Sequence, residues 1–328
     1  MMKQLILSFL SLMYLASSCS TSVVEEPEKA EYAIAFESPE SDTRARAAIG
    51  AGDFPTDSSF KVWGGYYDNE GNLNATNIFN GEDIIYSNDK KWHYTGYPRF
   101  WERNKIYNFY AVYPNNALAE VSENGKIIVT GFDCSRTGDE AVDLMTASYT
   151  RITSSELNKD DVAAVSLAFR HELSRINLSL KSGNTVVSVS SFKLYGVNHY
   201  GNFTKEPDGS FSWEALEKST IDNTPYKIEE AFVLNDLNSW EKNIFGDILL
   251  IPHVSETGID DAMVYVEYYF QSDIVPRIST VSLKTSAIKS WEPGKSYNYV
   301  ITVNGNTDII IDVSVNEWTE TNTSVSWE

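Results

Sequence analysis

The sequence predicts an all-β protein built of β-sandwiches, and three observations carry that expectation. Apolar residues recur at every second position in many short runs. Gly, Asn, Asp and Pro separate those runs. Aromatic residues are abundant, with 8 Trp, 19 Tyr and 15 Phe in 328 residues. Period two puts one set of side chains on one face of an extended strand, and aromatic residues suit that pleated, half-buried surface. Short strands punctuated by turn signals are the pattern of a sandwich. Helix signals are sparse: Ser154 to Asp161 opens with an acidic turn but is too short to stand alone.

At the N-terminus, Lys3 precedes an apolar run from Leu5 to Leu15, followed by Ala16-Ser17-Ser18 and then Cys19. A positive charge, a run too short to span a bilayer and small residues before a cut describe an export signal over 1–18. A cysteine at that point resembles a bacterial lipoprotein signal. In such signals the thiol is lipidated and the chain is cut before it, so Cys19 is expected to become a lipid-anchored N-terminus. Residues 19–31, with Glu25, Glu26, Pro27 and Glu28, have little to bury and read as a flexible tether. Tyr32-Ala33-Ile34-Ala35-Phe36 is the first strand candidate, with Tyr32, Ile34 and Phe36 on one face. Glu37 to Pro55 is polar again and holds Arg44 and Arg46.

From Phe60 onward period-two runs dominate. They include 60–64, 92–94 and 106–113, the last closed by Pro114. A second set follows at 165–169, 176–180, 192–197, 248–251, 263–268 and 297–303. A boundary near 150–161 divides the chain after the signal into roughly equal halves, with one sandwich expected over 32–160 and another over 161–328.

Charge and residue spacing narrow the function. The formal charge of −20 becomes −21 once Lys3 leaves with the signal. So acidic a surface repels phosphate backbones, which argues against nucleic acid as a partner. With Cys19 lipidated, Cys134 is left without an intrachain partner, so the core must supply the stability. His93, His171, His199 and His253 are widely spaced, and His171-Glu172 lacks the second histidine of a zinc helix. Asp160-Asp161, Asp260-Asp261 and the Asp68 to Asn72 loop carry oxygens without a full calcium-loop pattern. No nucleophile elbow, P-loop or dinucleotide fingerprint appears. The expectation is a protein with no catalytic residues, no metal and no cofactor.

Several stretches resemble the fimbrillin-like lipoproteins of the Bacteroides group, the subunits of donor-strand pili. In order they are 60–66, 92–94, 107–114, 143–147, 167–176, 249–252, 291–299 and 311–318. The resemblance implies two tandem transthyretin-like β-sandwich domains after the lipoprotein signal peptide. It also implies an assembly route, in which an arginine-specific protease cuts near the N-terminus and the first strand is lost. The emptied groove then takes a strand from a neighbouring subunit by β-strand addition. Here the lost strand would be Tyr32 to Phe36, and the cut would follow Arg44 or Arg46. The donor would lie near the C-terminus, where Ile309, Ile311, Val313 and Val315 alternate and Val325 with Trp327 repeats the phase. An ordinary edge hairpin explains the same alternation. Implied partners are other fimbrial subunits, the outer membrane through the lipid, and a host or microbial surface receptor.

A competing reading is a monomeric glycan-binding lipoprotein. Its basis is the cluster Trp92, Tyr94, Tyr97, Phe100 and Trp101, since flat aromatic faces stack on sugar rings; packing in a sandwich core or edge explains the same residues.

Overall fold

A computed structural model of the chain describes residues 32–37, 40–41, 59–67, 73–89, 91–183, 185–235, 239–255, 258–304 and 309–318. The first half carries β1 (Glu40–Ser41), β2 (Ser59–Tyr66), β3 (Phe79–Tyr86), β4 (Trp92–Tyr94), β5 (Ile106–Tyr113), β6 (Ala119–Val121), β7 (Ile127–Asp133) and β8 (Met145–Ile152). A 3-10 turn at Gly138–Glu140 is the one helical element among the described residues. Next come β9 (Ala168–His171), β10 (Ser174–Ser182), β11 (Val187–Tyr195), β12 (Asn198–Lys205), β13 (Phe211–Lys218), β14 (Lys227–Ile228) and β15 (Phe232–Leu234). The chain continues through β16 (Glu241–Asn243), β17 (Ile248–Leu250), β18 (Met263–Phe270), β19 (Arg277–Ser282), β20 (Lys295–Val303) and β21 (Ile310–Glu317). The expected all-β sandwich architecture is therefore the one observed.

Four sheets enclose three apolar cores. A seven-stranded sheet runs β1-β9-β8-β5-β2-β3-β4 and is covered on both faces. Alternation decides which residue goes where. Phe60 and Val62 of β2, with Tyr107, Phe109 and Ala111 of β5, enter the first core. Trp63, Tyr110 and Val112 point the other way, into a second core. That second core is shared with the sheet β13-β12-β7-β6, which contributes Val121, Ile127, Val129, Phe132 and Phe203.

The third core is a two-sheet sandwich. The sheet β16-β10-β20-β21 supplies Ile176, Leu178, Leu180, Tyr299 and Ile301. Facing it, β14-β11-β18-β19 supplies Val187, Val189, Phe192, Leu194, Val264 and Val266. Within β11 the apolar phase slips by one residue, from Val187 and Val189 to Phe192 and Leu194. A register shift between Val189 and Ser191 absorbs the slip, so all four stay inside.

The two halves interlock across the border expected at 160/161. Strand β9 lies beyond residue 160 yet completes the first sheet, and the β12–β13 hairpin pairs with β7. Residues 154–161 form a loop rather than the short helix their acidic start suggests. The Asp161 carboxylate accepts from the Ser154 and Asn158 backbone N–H groups, an arrangement in which Asp competes with helix formation.

Candidate functional site: the N-terminal segment and its groove

Residues 32–37, with β1 after them, form a narrow lid over the first core. Ile34 is 2% exposed and Phe36 is 4% exposed, while Ala35 and Glu37 between and beyond them face out. Tyr32 is half-buried, so the predicted apolar face of this strand includes two fully inserted side chains. Phe36 meets Phe79, Tyr94 and Phe109 edge-on, with centroids 5.6, 6.2 and 6.1 Å away. Such contacts add to the stabilisation from apolar burial itself.

The backbone of the lid is paired on two sides. On one side Ile34 N–H donates to Arg99 O at 2.7 Å, and Trp101 N–H donates to Tyr32 O at 2.9 Å. The Tyr94 hydroxyl donates to Ile34 O at 3.1 Å and accepts from Arg99 N–H at 3.1 Å. On the other side Val165 N–H donates to Ala35 O at 2.7 Å and Glu37 N–H donates to Val165 O at 3.2 Å. Strand β1 then runs parallel to β9, with Glu40 opposite Ala168 and Ser41 opposite Phe169. Over residues 33–36 the pairing consists of single bridges, Ala33 with Phe100 and Phe36 with Trp92 and Val165, instead of a ladder. An open cleft of about 770 Å³ lies beside the lid, lined by Ala33, Ala35, Trp92, His93, Tyr94 and Pro98 among others.

The aromatic cluster divides into packed and free members. Trp92 and Trp101 are buried in the first core, and Tyr94 packs against it. Trp92 contacts Phe60 at 5.4 Å and Tyr86 at 5.3 Å, while Arg99 lies 4.5 Å over Phe79 and 5.1 Å over Tyr94. Tyr97 is 92% exposed and Phe100 is 38% exposed.

At the other end of the chain, Ile309, Ile311 and Val313 pack half-buried against the third core, and Val315 is exposed. They belong to the β21 region, which among the described residues is an edge strand paired with β20. Immediately after β21, Trp318 is fully buried in the second core. It stacks on the His171 ring at 4.1 Å and 11° between planes, and its backbone N–H donates to Gly294 O at 3.0 Å. Cys19, Arg44, Arg46, Val325, Trp327 and the Asp68 to Asn72 loop lie outside the described residues.

The remaining polar candidates are engaged within the protein. His93 Nε2 lies 2.8 Å from Asp89, and His171 Nδ1 is paired with Asp143 in full burial. His199 lies 3.7 Å from Glu217. His253 Nε2 faces the Asn198 N–H at 3.5 Å, and its Nδ1 lies against Gly258 O. Asp260 is paired with Lys284 and Asp261 with Lys218. Among the described residues no group of three His, Cys, Asp or Glu is placed to hold a metal ion. The buried Cys134 thiol is pushed well above its ordinary pKa by burial. A cluster that spacing alone misses joins Glu172, Lys205 and Thr146: Lys205 Nζ lies 2.6 Å from the Glu172 carboxylate, which also accepts from the Thr146 hydroxyl. Glu172 is 3% exposed, and its sequence signal is a charge inside an otherwise strand-like stretch.

The solved structures that share this architecture include a proposed cell adhesion protein from Bacteroides uniformis. It is 13% identical, with a TM-score of 0.51 over 88% of this chain and 99% of the other. A proposed cell adhesion protein from Bacteroides ovatus is 17% identical, with a TM-score of 0.51 over 88% and 98%. At such identities the likeness is one of fold. No curated protein matches the sequence. A family model described as fimbrillin-like matches residues 43–318, from just past β1 to Trp318. With that match spanning all three cores, the chain belongs to the fimbrillin-like family.

Proposed function

We propose that this chain is a pilus subunit or fimbrillin-like adhesin whose work is mechanical, with assembly by strand exchange. One observation carries the reading: residues 32–37 fill an apolar groove with two side chains and are held by isolated bridges rather than by a ladder. A lid of this kind is replaceable. Its departure leaves backbone groups without partners and apolar pockets two residues apart, which an incoming strand satisfies.

In this reading the chain is exported as a lipoprotein anchored to the outer membrane through Cys19. A cut after Arg44 or Arg46 then separates the anchor and the lid from β2 in one step. The groove takes a strand from another subunit, and the C-terminal segment supplies one in turn, drawn from Ile309, Ile311, Val313 and Val315 or from Val325 and Trp327. The two sandwiches remain as the body of the subunit, which presents a surface to a host or microbial receptor. Membership of the fimbrillin-like family supports this over any chemical role.

The test is incubation of the full chain with an arginine-specific protease, read by mass spectrometry and native gel. Clipping after Arg44 or Arg46 followed by a ladder of oligomers is the expected result. Deletion of Thr319 to Glu328 should shorten the ladder if the donor lies there. The cleft beside Trp92 and Tyr94, with exposed Tyr97 between two of its lining residues, favours the second reading, a monomeric glycan-binding lipoprotein. An uncut monomer that retains glycan on an array would replace the pilus reading with that one.

A further inference from the structure

We infer that the N-terminal lid and the end of β21 are held by one mechanical connection, the stretch Val165 to Glu172, so that loss of the lid also releases the pin at the end of β21 and leaves that strand held by its ladder to β20. The inference rests on the reading above, in which the lid departs and a C-terminal strand is donated.

Residues 165–169 take backbone partners from the lid. Val165 uses both its N–H and its carbonyl on Ala35 and Glu37. Ala168 and Phe169 lie opposite Glu40 and Ser41. On the far side, the β9 ladder to β8 covers two residues, Arg170 opposite Thr146 and His171 opposite Met145. Among the described residues, the lid pairs with Val165, Ala168 and Phe169 of this stretch, and β8 with Arg170 and His171.

The same stretch ends on the clamp that holds the C-terminal side. His171 stacks on Trp318 while its Nδ1 pairs with Asp143. Glu172 is tied to Lys205 and Thr146, and its N–H donates to Leu144 O at 2.9 Å. Gly294 N–H donates to Leu173 O at 2.9 Å, and Gly294 O accepts from Trp318. Since β21 is an edge strand, Trp318 is the point where its end enters a core.

The clamp is closed by packing: the Asp143 carboxylate, the His171 ring and the Trp318 indole are all buried and in one connected cluster, so a shift of β9 would expose them together. A packed element with two arrangements is what transmits a local loss to a second site. The consequence is order of events: an intact subunit has its groove filled and its last strand pinned, and one cut removes both restraints.

The test is amide hydrogen exchange of the full chain. Glu37→Pro deletes the N–H that binds Val165 O at an exposed position and keeps Phe36 in its extended conformation. Phe36→Ala empties the groove more severely. Each should speed exchange of 165–171 and of 310–317 together, by about tenfold or more, as expected for one cooperative unit. Leu118→Ala, at a position 72% exposed, is the control and should leave 310–317 at the wild-type rate. The inference is overturned if 165–171 loosens while 310–317 keeps its protection, or if 165–171 stays protected in both lid variants. If Phe36→Ala fails to fold, Glu37→Pro decides alone. Laddering after arginine-specific cleavage reads assembly separately. Ladders without coupled exchange sink only this inference, whereas coupled exchange without ladders sinks only the pilus reading.

Discussion

The first and third cores are both apolar, yet they are closed in different ways. Around the third core, β10 and β20 pair in parallel over eight residues, from Arg175 with Ser296 to Ser182 with Val303, and β11 pairs with β18 from Val187 to Tyr195. Over the first core, one face of the seven-stranded sheet is covered by residues 32–37 and the segments around Trp101 and Val165, joined by single bridges. Both bury aromatic and aliphatic side chains. What differs is how many backbone pairs must break together before that surface meets water. The β10–β20 and β11–β18 ladders of the third core open only with global unfolding, whereas the bridged lid can leave while those ladders stay closed.

Two truncations break this comparison most directly. Phe192→Ala, at a fully buried site in the third core, should lower global stability by about 3–5 kcal/mol. It should shift the denaturant midpoint with little change in slope. Phe36→Ala removes a ring just as buried, but its effect on global unfolding is capped by the free energy with which the lid docks. Its main signature should be faster proteolysis within residues 32–58. If instead both variants shift the midpoint equally, the lid is an integral part of the fold and the contrast between the cores disappears.

A smaller change probes the groove from below. Gly64 in β2 lies under the lid, and a Cβ there would come within 2.6 Å of the Phe109 ring and 3.1 Å of Phe79. Gly64→Ala should therefore cost about 1–3 kcal/mol as the rings are displaced. Because Phe36 rests on those same rings, this variant should loosen the lid as well as the sheet. Thermal unfolding together with limited proteolysis would check both effects.

Much of this was legible in the sequence where one strand carries its own pattern. The alternation of β5 and β18 places Tyr107, Phe109, Val264 and Val266 inside, and the phase of Ile34 and Phe36 puts both against the first core. Elsewhere the controlling information is not local. Strand β13 is exposed along nearly its whole length, so the alternation of Phe211, Trp213 and Ala215 does not report a buried face. The slip in β11 is hidden until the partner strand reveals the register shift. The parallel pairing of β1 with β9, and the stack of His171 on Trp318, join residues far apart in the chain that no short-range rule links. Charge spacing likewise shows Glu172 and Lys205 as separate residues, and only the approach of β12 makes them a pair.

The mildest handle on the contrast is pH, through His253. This residue sits at the rim of the third core, where its backbone exchanges hydrogen bonds of 2.9 Å with Trp291. Burial lowers its pKa from the ordinary 6.5, and the nearby Lys218 charge lowers it further, against the opposing bond to Gly258. The Asn198 N–H facing Nε2 also suits a neutral ring, with Nδ1 donating to Gly258 O. The folded state therefore takes up this proton at lower pH than the unfolded chain does. The stability tied to the neutral ring is complete above pH 6.5 and is lost as pH falls through the folded-state value. His253→Gln should flatten that part of the stability–pH curve in thermal denaturation. The lid lies over a different core, so the slope attributable to His253 should leave exchange of residues 32–37 unchanged between pH 7 and 6, once intrinsic exchange rates are corrected. A loss of lid protection that His253→Gln abolishes would mean that the two cores open together, and the distinction between a closed core and a replaceable lid would fail.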